Sequence, residues 1–207
     1  MICAIVEKYC TYFRHQKQAR NKTVNLKMNT AKKYLPHYTY DDWLHWEGRW
    51  ELIEGHPIAM SPMPIPEHQR VASEIRIELA LALRRTKCKH CKAYDPIDFK
   101  ISEETILQPD ILIVCGKIIK NYLDFPPSLV VEILSKATED RDRNIKYDLY
   151  EQQGVKFYLI ADVRKQSIEV YELVNNKYQL RTSNMGYTFE LESGCTISPE
   201  LNNVWED

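Results

Sequence analysis

Three ionisable residues stand where their chemistry needs an explanation: Asp110, Glu132 and Lys146. Asp110 follows Pro109 at the entry of the apolar run Ile111-Leu112-Ile113-Val114, and Glu132 interrupts the run Leu129-Val130-Val131-Glu132-Ile133-Leu134. An ionised carboxylate inside an apolar strand costs several kcal/mol unless it is paired, neutralised or bound to a cation. Two of them on adjacent strands invite a hard divalent ion, Mg2+ with Mn2+ as its substitute. Lys146 and Tyr150 lie one helical turn apart and share a face, so a helix packed over the strand ends would bring an ammonium to both acids. Phosphodiester hydrolysis uses such a set. Carboxylates hold the metal, the metal polarises the phosphoryl oxygen and acidifies a bound water, and a cation orients the nucleophile or offsets developing charge. Lys146, beside two acids, is expected to stay protonated, which suits water orientation and electrostatics rather than general-base work.

Other residues have weaker claims. Gln108 stands two positions before Asp110 and is a candidate to point into the site. His68 opens a helix and is a candidate auxiliary acid, base or phosphate contact, although a histidine there also bonds locally. Glu51 and Glu54 flank a turn, with Glu54 a candidate helper at the metal. Arg141 and Arg143 are stand-ins for Lys146. Glu132 admits a second reading, a structural buried ion pair with Lys146 or Arg143. Cys88-Lys89-His90-Cys91 has the gap of a zinc knuckle but no second pair at suitable spacing. Ser135 has no recognisable Ser-His-Asp partnership, and the six glycines form no phosphate loop.

The elements that must position these groups read as an alternation of helices and strands. Thr39 can cap a short helix whose first turn carries Asp41 and Asp42. Two apolar pieces around Glu54-Gly55 between Arg49 and Met60 predict a hairpin. The prolines of 61–66 break structure, and Val71, Ile75, Leu79 and Ala82 recur at helical spacing before Arg84-Arg85. Strands are expected at 97–101, 111–114, 129–134, 157–161 and 167–173, from their Ile, Val, Leu and aromatic content. A helix over 140–153 with Gly154 at its C-cap separates the third from the fourth, and a crossover helix between buried strands normally joins parallel neighbours. The fold class is therefore α/β, a mixed sheet flanked by helices. The aromatics Tyr38, Tyr40, Trp43, Trp46 and Trp50 are read as core.

A chain of 207 residues supports one sizeable core. Residues 1–29 carry six basic side chains against one acid without an apolar period and read as an N-terminal extension; 30–207 is the expected domain. The formal charge of −1 gives no global pull on polyanions, so a nucleic-acid surface would have to be local. No window approaches the roughly 18 apolar residues of a membrane helix. Six irregularly spaced cysteines do not look like a disulfide framework, and a reducing cytoplasm fits them.

Taken together, Glu51-Leu52-Ile53-Glu54-Gly55, Pro66-Glu67-His68-Gln69-Arg70, Gln108-Pro109-Asp110, Val131-Glu132-Ile133-Leu134-Ser135 and Lys146-Tyr147-Asp148-Leu149-Tyr150 resemble the Uma-type restriction endonucleases of the PD-(D/E)XK nuclease superfamily. So do Gly154-Val155 and Ile160-Ala161-Asp162 farther on. The resemblance implies a restriction endonuclease-like mixed core with helices on both faces, Mg2+ dependence, and nucleic acid, DNA before RNA, as substrate. It makes Pro109-Asp110 the "PD", Glu132 the second acid and the Ile133 backbone carbonyl a further metal ligand. The superfamily's usual lysine position falls on Leu134, and the resemblance implies that Lys146 on the next helix replaces it. It also implies, by analogy, a homodimer that cuts one strand per subunit. The displaced lysine keeps open a catalytically silent module that binds nucleic acid or serves as a scaffold.

Overall fold

The computed structural model describes residues 36–60, 65–182 and 186–206. The expected extension at 1–29, with Cys3 and Cys10, lies outside them. The chain forms two compact units: one runs to Ser61 and takes in Glu103–Thr105, and the other comprises Pro62–Ser102 and Ile106–Asp207.

In the smaller unit, helix α1 (Tyr40–Trp43) follows Thr39, whose backbone N–H and hydroxyl both donate to the Asp42 carboxylate, at 2.8 and 2.9 Å. Strands β1 (Trp50–Ile53) and β2 (His56–Ala59) pair antiparallel. Their two-residue turn puts Glu54 and Gly55 at φ 48 and 73, the left-handed pair that a tight hairpin demands. The aromatics pack on one another, Tyr38 on Trp46 at 5.2 Å and Trp46 on Trp50 at 5.5 Å, but each is only half-buried. They form a surface cluster rather than the core expected of them.

The larger unit is built on helix α2 (Pro66–Arg85), which starts with proline at its first position, where no intrahelical N–H is required. The proline-rich stretch therefore ends by launching the helix. After it come β3 (Cys91–Tyr94), β4 (Phe99–Ser102), β5 (Thr105–Leu107), β6 (Ile111–Cys115) and β7 (Leu129–Ile133). The crossover follows as α3 (Glu139–Arg141), a π-helical turn over Asp142–Lys146, and α4 (Tyr147–Gln152). Strands β8 (Phe157–Asp162), β9 (Ser167–Val174) and β10 (Lys177–Thr182) complete a six-stranded sheet of order β10-β9-β8-β7-β6-β3. As the crossover predicts, β7 and β8 are parallel, and the other neighbours in this sheet are antiparallel.

Pleat alternation gives the sheet two different faces. Leu129, Val131, Ile133, Phe157, Leu159 and Ala161 join Val71, Ile75 and Leu79 of α2 in the main core. Each of those three helix residues is fully buried, a stabilisation of about 1.5–3 kcal/mol apiece. The opposite face carries Val130, Glu132, Tyr158 and Ile160, and there the crossover packs, with the Tyr150 and Tyr158 rings 5.1 Å apart. A final hairpin, β11 (Phe189–Glu190) with β12 (Thr196–Ile197), and a 3-10 turn (Leu201–Trp205) add Phe189, Ile197, Leu201 and Val204 to the α2 side.

Two disulfides correct the expectation drawn from cysteine spacing. Cys88 bonds Cys195 and Cys91 bonds Cys115. The partners lie 107 and 24 residues apart in sequence, and only the fold brings the end of α2 to the C-terminal hairpin and the edge strand β3 to the end of β6. Both halves of the knuckle-like Cys88-Cys91 motif are used in these bonds. Among the described residues, no helix is long and apolar enough to cross a membrane.

Candidate active site

Glu132 occupies the fourth position of β7, 3% exposed, between Val131 and Ile133. Its Oε1 accepts from Lys146 Nζ at 2.9 Å and from the Tyr150 hydroxyl at 2.7 Å. Lys146 is 1% exposed and also lies 3.8 Å from Asp142 Oδ1, itself buried. Asp142, Lys146 and Tyr150 therefore form one inward stripe, and the first two bound the π-helical turn. Such turns are rare and recur at functional sites. The Tyr158 hydroxyl donates to the Asp142 backbone carbonyl at 2.9 Å. Full burial pushes the Tyr158 phenol well above its usual range, and the negative fields of Glu132 and Asp142, then Tyr178 and Asp110, push it the same way.

Asp110 lies immediately before β6. Because Ile111 faces Val131, Asp110 is level with Glu132 on the neighbouring strand. Asp110 Oδ2 accepts from the Ile133 backbone N–H at 2.9 Å and is 3.3 Å from His68 Nε2. Burial pulls the His68 imidazole down, but hydrogen bonding to Asp110 and its charge, with a backbone contact at Ile133 and the field of Asp142, leave it raised on balance. The first turn of α2 and the start of β6 thus meet the end of β7 at Asp110, and the crossover meets β7 one residue earlier, at Glu132.

Residues 38–202 match the sequence model of Uma2, described as "Putative restriction endonuclease". The chain belongs to the Uma2 family. The solved structure of a "putative nuclease belonging to DUF820" from Anabaena variabilis superposes with a TM-score of 0.63, at 18% identity, over 81% of this chain and 97% of that one. That likeness is one of fold: this Uma2 chain has the mixed α/β architecture of a nuclease fold. No protein of curated function matches the sequence.

Within this Uma2 chain, Asp110, Glu132, Lys146, His68 and the backbone of Ile133 come together. Gln108 donates to Asp98 Oδ1 at 2.5 Å. Glu54 is exposed at the β1–β2 turn of the smaller unit, and Glu51 is fully buried on β1. Arg143 is no stand-in for Lys146, because two hydrogen bonds of 2.8 Å commit it to Glu169, which holds its guanidinium above the ordinary range. Sequence reasoning missed Asp142. Its signal was spacing: an acid four residues before a lysine that itself stands four before a tyrosine.

The donor set suits a hard cation. Lys146 lies between the Glu132 and Asp142 carboxylates, and His68 lies against Asp110, all of them largely removed from water. Among the described residues, no three His, Cys, Asp or Glu side chains converge as a ready-made cage. Two carboxylates and a backbone carbonyl are what an Mg2+ site offers when water and substrate phosphate complete the octahedron, whereas Zn2+ would need more side-chain ligands.

Proposed function

We propose that this Uma2 chain is a metal-dependent endonuclease that hydrolyses phosphodiester bonds of DNA. The observation that carries the proposal is Glu132, a carboxylate at the centre of an apolar strand, level with Asp110 and bonded by both Lys146 and Tyr150. Asp110, Glu132 and the Ile133 carbonyl would hold Mg2+, or Mn2+ in its place, and the ion would supply charge stabilisation and an acidified water. Lys146 gives the Glu132 carboxylate a fixed orientation and provides positive charge against the pentavalent phosphorane that builds up. Tyr150 holds the same oxygen from the other side. His68 fixes Asp110 and is placed to carry a proton at Nε2. Gln108 and Glu54 take no part in this scheme.

Two copies acting on opposite strands complete the reading. Nicking of supercoiled DNA by purified protein in Mg2+ or Mn2+, beside Glu132→Gln, is the test. DNA binding with no turnover in any divalent ion would replace the enzyme by the silent nucleic-acid-binding module.

A further inference from the structure

The chain's net charge is −1, yet one groove is strongly basic. It has a volume of about 670 Å3 and lies between the start and edge of β3 on one side and the loop after β6 on the other. Lys89, His90, Lys92 and Tyr94 line the first wall, Lys117 and Lys120 the second. The Cys91–Cys115 disulfide and a hydrogen bond from the Gly116 N–H to the His90 carbonyl, 3.0 Å, fasten the two walls together.

Of the acids nearby, two are committed elsewhere and one offsets Lys120. Asp95 pairs with Arg76 at 3.1 Å, Asp98 accepts from Gln108, and Asp124 pairs with Lys120 at 2.7 Å. Among the described residues, Lys89, Lys92 and Lys117 form no ion pair, so three ammonium groups face solvent together. A lysine on an edge strand is commonly a guard against strand pairing, which would account for Lys92 alone. It does not account for Lys89 and Lys117, which lie on loops at either side of the same hollow.

We propose that this groove docks the phosphate backbone of duplex DNA beside the bond to be cut; the ligand class rests on the nuclease reading above. Register supports the placement. Tyr94 faces Leu112, Leu112 faces Val130, and pleat alternation puts Lys92, Tyr94 and Glu132 on the same face of the sheet. Lys92 is level with Val114, four residues from the level of Asp110 and Glu132 and two strands away. At about 3.3 Å per residue and 4.8 Å per strand, that is roughly 16 Å. Phosphates of one strand rise about 3.4 Å each along the duplex axis, so a duplex lying along this line would meet the groove about five base pairs from the reacting phosphate.

The test is fluorescence anisotropy of a labelled duplex, without metal, on a Glu132→Gln background, so that binding is read apart from cleavage. Lys89→Ala/Lys92→Ala/Lys117→Ala is compared with the single Lys165→Ala, an exposed lysine on the β8–β9 turn, and with Lys92→Glu alone. The triple variant is expected to bind about tenfold or more weakly, and its slope of log affinity on log salt should fall by up to about 2.7, or about 0.9 for each lost phosphate contact. Lys165→Ala should bind like the parent, and Lys92→Glu should be weakened. Equal binding by the triple variant and parent overturns the groove, as does a parent that fails to bind duplex or prefers anionic lipid vesicles to it. A parent that binds through these lysines but cuts nothing upholds the groove and removes the catalytic reading.

Discussion

A carboxylate as buried as Glu132 depends on its partners, and each partner can be removed separately. Tyr150→Phe deletes one charge-assisted hydrogen bond without opening much space, so it should cost about 1.5–3 kcal/mol. Urea denaturation at neutral pH reads this directly, and a change near zero would show that the Tyr150–Glu132 bond is not formed in solution. Lys146→Met leaves the carboxylate uncompensated and should cost more, about 3–5 kcal/mol, whereas the double change Glu132→Gln/Lys146→Met should recover most of that loss. Failure of the double variant to recover stability would contradict the pairing. Glu132 and Asp110 were legible in sequence because charge inside an apolar run is costly. Asp142 was not, because an acid on a helix is ordinarily solvated and nothing local says that the turn will be buried.

The crossover is held onto the sheet by a second pair, Arg143 with Glu169 of β9. The Arg143 guanidinium holds the Glu169 carboxyl below the usual glutamate range, against the opposing effect of burial, with help from the Tyr171 hydroxyl. A depressed carboxyl pKa in the folded state stabilises above the unfolded value of about 4.3 and loses that contribution as pH falls through the folded value. Glu169→Gln should therefore cost about 1 kcal/mol at pH 7, a figure reduced for partial exposure, and the gap from the parent should close in acid. A gap that persists unchanged below pH 4 would show that it arises from packing.

Strand existence was well read where apolar residues run together, as in β6, β7 and β8, and the parallel β7–β8 pairing followed from the helix between them. Among the strands missed, β3 and β10 are edge strands with Lys92, Lys177 and Arg181 among their residues: β3 offers only Cys91 and Ala93 to the core, and β10 buries only Tyr178. The π-helical turn could not be foreseen, since it reflects how the crossover fits the sheet and not a propensity of Asp142–Lys146.

At the scale of the whole molecule, the disulfides tie parts of the larger unit that are distant in sequence. Cys88–Cys195 links residues 107 apart in sequence and fastens the C-terminal hairpin to the end of α2. A crosslink over so long a loop is worth about 2–4 kcal/mol. Reduction, or Cys88→Ser with Cys195→Ser, should lower the melting temperature by several degrees, and mass spectrometry under denaturing, non-reducing conditions should find both bonds. An unchanged melting temperature with free thiols would mean that the cysteines serve only as packed apolar groups. Their spacing concealed this pairing because the partners meet through tertiary structure alone.

The central claim, that Asp110 and Glu132 form a metal-dependent phosphodiesterase centre, is tested most directly by conversion of supercoiled DNA to nicked or linear forms in Mg2+ or Mn2+. The parent should cut and chelation should stop it. Glu132→Gln and Asp110→Asn, shown to be folded by their thermal transitions, should each lose about a hundredfold or more in rate, in keeping with removal of a group that stabilises the transition state. Cleavage that persists undiminished in both folded variants would contradict the account.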